Sequence, residues 1–290
     1  MLRAAVLQAG SIPWDTPATI EKLRRFARQA AANGAQLLAF PEALIGGYPK
    51  GLDFGARVGQ RSPEGRAHFQ RYFESALPNF DPLAEIAREA NLYLTGGVIE
   101  RDGATLYCTA TTHAPSGALL GKHRKVMPTA MERLIWGFGD GSTLAPVPTP
   151  WGPLASAICW ENYMPQLRLA LYAQGVQLYC APTVDDRDSW LPTMRHIAIE
   201  GRCFVLSAVQ YTEPSEWAPI HGGSLIVDPL GRLLAGPAAP GETILYADID
   251  TAQTAAGKFD LDVAGHYARP DLFRLLVNTK PQPVVDKLEE

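Results

Sequence analysis

Residues 153–165, with the sequence PLASAICWENYMP, join an apolar run to a polar, aromatic turn and then to a helix. The small apolar residues before Cys159 predict a short buried strand, and Pro165 predicts the first turn of a helix that Gly175 ends. Cys159 therefore lies at a strand-to-helix junction, where a sharp turn exposes its side chain. The backbone N–H of Trp160 is then free to face a developing negative charge. This position suits a nucleophile, although on position alone a cysteine beside alanine and isoleucine is more typical of a small core residue.

The rest of the chain alternates predicted strands with predicted helices. Apolar runs bounded by turn residues predict strands at residues 2–8, 36–40, 92–100, 105–114, 176–181, 203–210, 223–228, 232–235 and 243–248. Amphipathic segments that begin near a proline or end at a glycine predict helices at residues 16–34, 62–76, 82–90, 165–175 and 190–201. The composition does not shift along the chain, so we expect one domain over residues 1–279 and a polar, proline-rich tail over 280–290.

The charge pattern argues against nucleic acid as a partner. The 290 residues carry 26 basic and 30 acidic side chains, which gives a net charge of -4. The two signs are interspersed, so the sequence contains neither a basic stripe nor an acidic tail. We therefore expect a small-molecule substrate.

Cysteine usage and hydropathy indicate a soluble, cytoplasmic protein without a metal. The four cysteines, Cys108, Cys159, Cys180 and Cys203, form no C-x-x-C pair and no cysteine–histidine cluster at zinc spacing. They are typical of thiols in a reducing compartment. No apolar run approaches the ~20 residues that a membrane helix needs, and residues 2–8 predict a strand rather than a signal segment. The sequence also lacks a G-x-G-x-x-G or Walker pattern, which argues against nucleotide binding.

Two further polar residues follow predicted strands. The strand at residues 36–40 leads into Glu42, which places a carboxylate at the carboxyl end of a buried strand, where sites in α/β sheets gather. Lys125 lies in the basic segment GKHRKVMPT, directly after a strand and before a proline. Each has a plainer interpretation, Glu42 as a turn acid and the basic segment as a solvated turn. Together with Cys159 they would supply a base, a cation and a nucleophile, because a thiol of pKa near ~8.5 needs help to ionise at neutral pH.

Around these residues the sequence resembles the nitrilase branch of the carbon–nitrogen hydrolases. The motifs that carry the resemblance are FPEALIGGYPKGLDFG around Glu42, HRKVMPT around Lys125, MERLIWGFGDGS around Glu132, CWENYMP at Cys159, HIAIEGRCFVLSA, and FDLDVAGHYARPDLF. Their order and spacing also agree with the family, and they extend to about Val277. Because each motif is several residues long, the resemblance is far more specific than any single glutamate, lysine or cysteine.

The resemblance implies an α/β fold of the α-β-β-α sandwich type, in which two sheets pack face to face with helices outside, and no metal or organic cofactor. It implies that Cys159 is the nucleophile and Glu42 the general base. Lys125 would stabilise and protonate the nitrogen-bearing intermediate, and Glu132 would orient Lys125 or the water. The resemblance also implies a homo-oligomer built from dimers.

The expected reaction is hydrolysis of an organic nitrile to a carboxylic acid and ammonia, through a thioimidate and a thioester on Cys159. Tyr48, Trp136 and Trp160 lie within the matching motifs and would line the substrate pocket, with the segment at residues 62–76 closing the cleft. A narrow apolar slot with flat aromatic walls favours a linear nitrile that carries an aryl group. We therefore expect an aromatic or arylaliphatic nitrile as the substrate.

Three alternatives remain open at this point. Amidases and N-carbamoylases of the same superfamily share the glutamate, lysine and cysteine, so these residues alone do not choose the substrate. A cysteine–histidine hydrolase has less support, because His123 falls in a predicted turn and the other histidines are scattered. The third alternative is a catalytically idle binding protein on the same fold.

The sequence departs from the family pattern in two places. Val209 stands in the strand that reads SANQ in many relatives, and we expect this change to alter the polarity of the pocket. The chain stops soon after ARPDLF, where many bacterial relatives carry a longer tail. We expect the short tail to limit extension of the oligomer into spirals.

Overall fold

The computed structural model describes residues 1–285, so residues 286–290 of the predicted tail lie outside the described part. The described residues form thirteen strands, β1 (Leu2–Gln8), β2 (Leu37–Ile45), β3 (Tyr93–Asp102), β4 (Thr105–His113), β5 (Leu119–Arg124), β6 (Leu154–Ser156), β7 (Leu178–Cys180), β8 (Phe204–Ser207), β9 (Tyr211–Thr212), β10 (Ile220–His221), β11 (Leu225–Val227), β12 (Leu233–Ala235) and β13 (Thr243–Ile249). The same residues form six α-helices, α1 (Thr16–Ala32), α2 (Pro63–Ser75), α3 (Asp81–Ala90), α4 (Pro165–Tyr172), α5 (Trp190–Gly201) and α6 (Ala252–Gly257). Short 3₁₀ turns cover Ala130–Leu134, Gly141–Thr143 and Cys159–Tyr163.

Two sheets contain most of the strands. The larger has the order β13-β1-β2-β3-β4-β5, and the smaller has the order β12-β11-β8-β7-β6. Each sheet contains a parallel trio, β1-β2-β3 in the larger and β6-β7-β8 in the smaller. Parallel neighbours need crossover connections, which here contain α1 to α3 in the first trio and α4 and α5 in the second.

The two sheets pack face to face, with helices on both outer sides. The core between the sheets takes buried apolar side chains from both: Leu2, Val6, Leu37 and Ile249 from the larger, and Leu154, Leu178, Phe204 and Ile226 from the smaller. Helices α1 and α3 cover the outer face of the larger sheet, and α4 and α5 cover that of the smaller. This arrangement confirms the α-β-β-α sandwich that the resemblance implies.

The helix α1 illustrates how the sequence pattern becomes structure. Asp15 caps its first turn by accepting a hydrogen bond from the N–H of Ala18 at 2.9 Å, a contact that stabilises a helix by about 1 kcal/mol. Its buried face includes Leu23 and Phe26, and Gly34 follows the helix with a φ of +81°. Neither α1 nor any other helix within the described residues is both long and apolar enough to cross a membrane.

The strand β2 differs from the prediction in a way that affects the site. We expected it to end at Phe40, but it continues through Glu42 to Ile45, and its pairing with β3 shifts register between Phe40 and Ile45. Pro41 lies in this interval and has no N–H to donate to the sheet. Gly97 of β3 lies so close that a Cβ atom there would be 2.5 Å from the Cα of Glu42. The Glu42 carboxylate therefore projects from an irregular part of the strand rather than from its end.

Candidate active site

Cys159 is the first residue of the 3₁₀ turn Cys159–Tyr163 and has a φ of +52°, in the left-handed region. This conformation costs a non-glycine residue roughly 1–2 kcal/mol. Hydrogen bonds hold the turn in place. The N–H of Cys159 donates to the carbonyl of Pro182 at 2.9 Å, and the Asn162 side chain donates to the carbonyl of Cys159 at 2.8 Å. The junction is thus a sharp, fixed turn that presents the cysteine side chain to a cavity.

Lys125 follows β5 and is completely buried. Its Nζ donates to Oε1 of Glu42 and to Oε2 of Glu132, both at 2.8 Å. Burial by itself lowers the pKa of a lysine, but the neighbouring negative charges, Glu42 first, outweigh it and hold the pKa of Lys125 well above its ordinary value. The side chain is therefore an ammonium ion held between two acids.

Glu42 is also completely buried. Its second oxygen, Oε2, accepts a hydrogen bond from the backbone N–H of Val184 at 3.1 Å. Burial raises the pKa of Glu42 above its ordinary value, and the opposing effect of Lys125 does not cancel that rise. A carboxylate with a raised pKa is a stronger proton acceptor than an exposed glutamate, which is the property a general base needs.

Glu132 lies in the turn Ala130–Leu134 and is bound by three donors. Its Oε2 accepts from Lys125 and from the N–H of Thr129 at 2.6 Å, and its Oε1 accepts from the Tyr48 hydroxyl at 2.8 Å. These contacts fix the carboxylate against the ammonium of Lys125. The bond from Tyr48 was not foreseen, since the sequence suggested only that this residue lines the pocket.

The Cys159 thiol lies beside Glu42, and their interaction opposes the rise in the pKa of that carboxyl group. Burial and the charge of Glu42 raise the pKa of this thiol well above its ordinary value, while Lys125 and a hydrogen bond from the Thr183 side chain act in the opposite direction. The thiol is therefore protonated at neutral pH and has an acceptor next to it. Thr183 and Val184 both follow β7, and no motif in the sequence pointed to them.

Cys108 is a second thiol beside the carboxylate of Glu42. Its Sγ lies 3.6 Å from Oε1 of Glu42. Burial raises the pKa of the Cys108 thiol as well. Of the four cysteines, all within the described residues, Cys159 alone lines the cavity. Access from the cavity therefore distinguishes the two thiols, whereas proximity to Glu42 does not.

The cavity has two adjoining chambers. The first, of about 260 Å³, contains Cys159, and the second has a volume of about 420 Å³. Tyr48, Lys50, Thr129 and Glu132 line both chambers. Apolar side chains dominate the remaining wall of the second chamber, among them Leu52, Phe54, Leu134, Ile135 and Trp136. A ligand can therefore place its reacting group in the first chamber and an apolar group in the second.

Trp160 forms one wall of the first chamber and keeps 42% of its surface exposed. Its Nε1 donates to Oδ2 of Asp185 at 3.1 Å. The Arg187 guanidinium lies 4.4 Å from the centroid of the indole ring and also donates to Asp185, at 2.7 Å. The indole is thus held at its edge by a hydrogen bond and on its face by a cation.

Trp136 is buried and lines the second chamber. Its Nε1 donates to the hydroxyl of Tyr72 at 3.0 Å, and its ring meets that of Tyr48 edge to face, with centroids 5.8 Å apart. The Nζ of Lys125 lies 5.4 Å from the centroid of the Trp136 ring. Trp136 therefore supports the ammonium as well as forming part of the wall.

The segment at residues 62–76 does not close the chamber that contains Cys159, so that expectation was wrong. It forms α2, and its Phe69 lines a further cavity of about 380 Å³. This cavity shares Phe54 and Ile135 with the second chamber. The aromatic residues of α2 thus lie one cavity away from the reacting groups.

His123 also departs from the prediction. The basic segment suggested a solvated turn, but His123 lies in β5, is buried, and has its Nε2 3.0 Å from Oε2 of Glu161. It therefore pairs with a carboxylate and does not form the thiol–imidazole pair that a cysteine–histidine hydrolase needs. In the part of the chain that the structure describes, no group of three or more histidine, cysteine, aspartate or glutamate residues could hold a metal ion.

The sequence and the fold both match known proteins. The profile of the carbon-nitrogen hydrolase family matches residues 3–259. The chain is 56% identical to an aliphatic nitrilase of Sinorhizobium fredii, with 98% of this chain and 97% of that protein covered. It is 50% identical to the bifunctional nitrilase/nitrile hydratase NIT4B of Nicotiana tabacum, with 95% of this chain and 86% of that protein covered.

Among solved structures, the C. elegans NitFhit protein is similar in fold. The TM-score is 0.79 at 21% sequence identity, with 98% of this chain and 68% of that chain covered. At this level of identity the similarity shows the fold alone. The family match along the chain and the identity to proteins named as nitrilases show that the chain belongs to the carbon–nitrogen hydrolase family, in its nitrilase branch.

Proposed function

We propose that the protein is a nitrilase, which hydrolyses an organic nitrile to the carboxylic acid and ammonia through a covalent intermediate on Cys159. One observation carries this proposal: the Lys125 ammonium contacts both Glu42 and Glu132 at 2.8 Å, and the Cys159 thiol lies beside Glu42 and faces the cavity. A nucleophile, a base and a proton donor thus meet at one point. The names of the similar proteins support the same reaction.

In the first step, Glu42 takes the thiol proton as the Cys159 sulfur attacks the nitrile carbon. A C–S bond forms and one π bond of the C≡N group breaks, so that negative charge develops on the nitrogen. Lys125 donates a proton to this nitrogen and recovers one from Glu42 across their hydrogen bond, which leaves a neutral thioimidate. General base catalysis of this kind typically contributes ~10²–10⁴-fold to the rate.

In the second half of the reaction, water attacks the thioimidate carbon with Glu42 as the base. Protonation of the nitrogen by Lys125 and cleavage of the C–N bond expel ammonia and leave a thioester on Cys159. A second water, also activated by Glu42, then cleaves the C–S bond, which releases the acid and restores the thiol. Cleavage of the C–S bond before the C–N bond would release the amide instead.

Glu132 has a supporting role in this mechanism. Because three donors fix its carboxylate, it holds Lys125 at the point where charge develops on the substrate nitrogen. A preorganised donor of this kind is typically worth about 2.7–4 kcal/mol in the transition state. The backbone N–H of Trp160, in the same turn as Cys159, would add a donor for the tetrahedral species.

The proposed substrate is an aromatic or arylaliphatic nitrile. With the cyano group at Cys159, the rest of the substrate meets Trp160 and extends past Tyr48 towards Trp136. Stacking of an aryl ring on such walls contributes about 0.5–1.5 kcal/mol beyond the burial of area. A nitrile also lacks the N–H groups of an amide, each of which costs about 1–3 kcal/mol if it is buried without a partner.

A substrate panel tests both parts of this proposal. Ammonia release would be measured for phenylacetonitrile, benzonitrile, a short aliphatic nitrile and the matching amides, with the Cys159→Ala variant as a control for contaminating activity. We expect kcat/KM to be highest for an aryl nitrile. An amide that is turned over faster than its own nitrile would indicate an amidase. A leading aliphatic nitrile, as the name of the S. fredii relative suggests for that protein, would contradict the aryl preference alone.

We also propose that the protein forms a homo-oligomer built from dimers. Large apolar side chains are exposed on α4 and on residues 259–277, among them Leu169, Tyr267, Phe273 and Leu276. An exposed apolar patch of this kind is typical of a protein interface. Light scattering should give a mass that is a multiple of the 31.5 kDa chain, and the variant Leu169→Glu should lower that mass. A monomer at micromolar concentration would contradict the proposal.

The proposed location is the cytoplasm. All four cysteines lie within the described residues and are free thiols, as expected in a reducing compartment. Fractionation of the native host should recover the protein with a cytoplasmic marker enzyme. Recovery from a secreted or periplasmic fraction would contradict this location.

A further inference from the structure

A second buried carboxylate, that of Glu161, lies near the reactive residues but does not line either chamber. Its Oε1 accepts a hydrogen bond from the N–H of Val126 at 2.5 Å, and its Oε2 accepts one from the N–H of Ile158 at 2.8 Å. The Nε2 atom of His123 lies 3.0 Å from Oε2 and 3.2 Å from Oε1. Glu161 thus binds three nitrogen atoms and none of them belongs to a group that meets the substrate.

The two backbone donors are sequence neighbours of the proposed reacting residues. Val126 directly follows Lys125, and Ile158 directly precedes Cys159. Val126 comes after β5, the edge strand of the larger sheet, and Ile158 comes after β6, the edge strand of the smaller sheet. The Glu161 carboxylate therefore bridges two backbone N–H groups, one next to Lys125 and one next to Cys159. This Glu161 bridge connects the ends of two strands that belong to different sheets.

We propose that Glu161, held by His123, is a positioning residue that sets the distance between the Lys125 ammonium and the Cys159 sulfur. The proposal rests on the proposed function, because it takes Lys125 and Cys159 as the reacting groups. A misplacement of about 1 Å at a reacting group costs on the order of 10²-fold in rate. The Glu161 bridge fixes the backbone beside Lys125 and beside Cys159, so it controls catalysis without touching the substrate.

The chemistry of the bridge requires a carboxylate. Each oxygen accepts one backbone N–H, and both also face His123. A glutamine has a single carbonyl oxygen, so its NH₂ group would face one of the two N–H donors. Burial lowers the pKa of His123, but the charge of Glu161 outweighs this effect and raises that pKa above its ordinary value. The Glu161 carboxylate thus favours the protonated form of the imidazole beside it.

The test compares Glu161→Gln with a matched control, Asp228→Asn. Asp228 is also a buried carboxylate, and it accepts hydrogen bonds from the N–H groups of Leu230 and Arg232 at 3.0 and 2.9 Å, in the turn between β11 and β12. Both variants would be assayed for kcat and KM with a nitrile, for the rate at which iodoacetamide alkylates Cys159, and for Tm.

For Glu161→Gln we expect kcat to fall roughly ten- to a hundredfold with KM within about twofold, and alkylation of Cys159 to slow by a similar factor. For Asp228→Asn we expect a fall in Tm but kcat and the alkylation rate within about twofold of the parent. Normal kcat and alkylation in Glu161→Gln would overturn the proposal. Equal losses in both variants at equal Tm would also overturn it, because the effect would then follow from stability alone.

A second variant keeps the test decisive if Glu161→Gln does not fold. His123→Gln retains a donor towards Glu161 but cannot carry a positive charge, so we expect a smaller loss of kcat and of the alkylation rate, about two- to tenfold. Unchanged values for a folded His123→Gln protein would overturn the role of His123 in the bridge. The alkylation assay needs no nitrile. Failure of the parent protein to hydrolyse nitriles would therefore contradict the proposed function, while the alkylation rates of the variants would still test the role of Glu161.

Discussion

The buried carboxylates of Glu42 and Glu161 have similar surroundings. Both are completely buried, and each lies next to a basic side chain, Lys125 at 2.8 Å from Glu42 and His123 at 3.0 Å from Glu161. Each neighbour has a pKa above its ordinary value. Burial and ion pairing therefore do not distinguish a carboxylate that we assign to proton transfer from one that we assign to positioning.

The two carboxylates differ in how many backbone donors they accept. Glu161 accepts one on each oxygen, from Val126 and Ile158, whereas Glu42 accepts one on Oε2 from Val184. A backbone N–H does not give up its proton, so the lone pair that accepts it takes no part in proton transfer. The other oxygen of Glu42, Oε1, faces the exchangeable protons of Lys125 and Cys108. The number of backbone donors thus distinguishes Glu42, which we assign to proton transfer, from Glu161, which we assign to positioning.

Removal of the thiol should have the largest effect. We expect Cys159→Ala to reduce nitrile turnover to the background of the assay, because no other described cysteine lines the chamber. The contacts of Glu161 do not involve the sulfur, so Tm should change little. Cys203→Ala, a change in the core of the smaller sheet, serves as the control and should retain activity. Residual turnover by Cys159→Ala in a contaminant-free preparation would remove Cys159 from the mechanism.

The variant Glu42→Gln tests the carboxylate that is free to exchange protons. Glutamine can still accept from the N–H of Val184, so the fold should persist, but it cannot take a proton from the thiol. We expect kcat to fall by ~10²–10⁴-fold, more than for Glu161→Gln. Steady-state kinetics on both purified variants would measure the difference. The comparison fails if Glu161→Gln proves the more damaging of the two changes.

Glu132→Gln should have a smaller effect than Glu42→Gln, because Glu132 orients the ammonium and does not carry a proton. We expect kcat to fall roughly 10²-fold with an intact circular dichroism spectrum, since a misplaced donor no longer meets the developing charge. Tyr48→Phe removes one of the bonds to Glu132 and should cost only several-fold. A nearly normal kcat for Glu132→Gln would show that Lys125 needs no second carboxylate.

The smallest effect concerns His113, a buried histidine that lacks a hydrogen-bond partner on either ring nitrogen among residues 1–285. Burial lowers its pKa from 6.5 to about 4. Between these values the unfolded chain binds the extra proton, so the free energy of unfolding should decrease as the pH falls from about 6.5 to 4. We expect His113→Leu to reduce the difference in Tm between pH 7 and pH 5. An unchanged difference would show that His113 does not contribute to acid sensitivity.

Sequence patterns predicted the helices and strands well where the hydrophobic periodicity agrees with the proline, glycine and turn residues that bound each element. The helix predicted at residues 190–201 is α5, and the strand predicted at residues 2–8 is β1, with the same bounds. The extent of β2 was missed, because continuation beyond Pro41 depends on the close approach of Gly97 in a neighbouring strand. Local sequence does not record which strand lies next to which.

The candidate site was predictable only in part, for a related reason. The motifs identify Glu42, Lys125 and Cys159 by their side chains. The N–H of Val184 is a backbone group, and any residue type at that position would supply it. The pairing of His123 with Glu161 joins residues that are 38 positions apart, one in β5 and the other in the turn that follows β6, so it follows from the packing of the sandwich and not from local pattern.

The walls of the second chamber bear on how this enzyme can change its substrate during evolution. One wall consists of residues 49–54 and the other of residues 130–136. Apart from Lys50, which also lines the chamber of Cys159, the first wall lines only the second of the two chambers, so it can vary with little effect on the rate of the chemical step. The second wall carries Glu132 and Trp136 on a single short segment, so a change of shape there also moves the ammonium. Divergence in substrate preference should therefore accumulate in residues 51–54 first, because selection on turnover constrains the wall that carries Glu132.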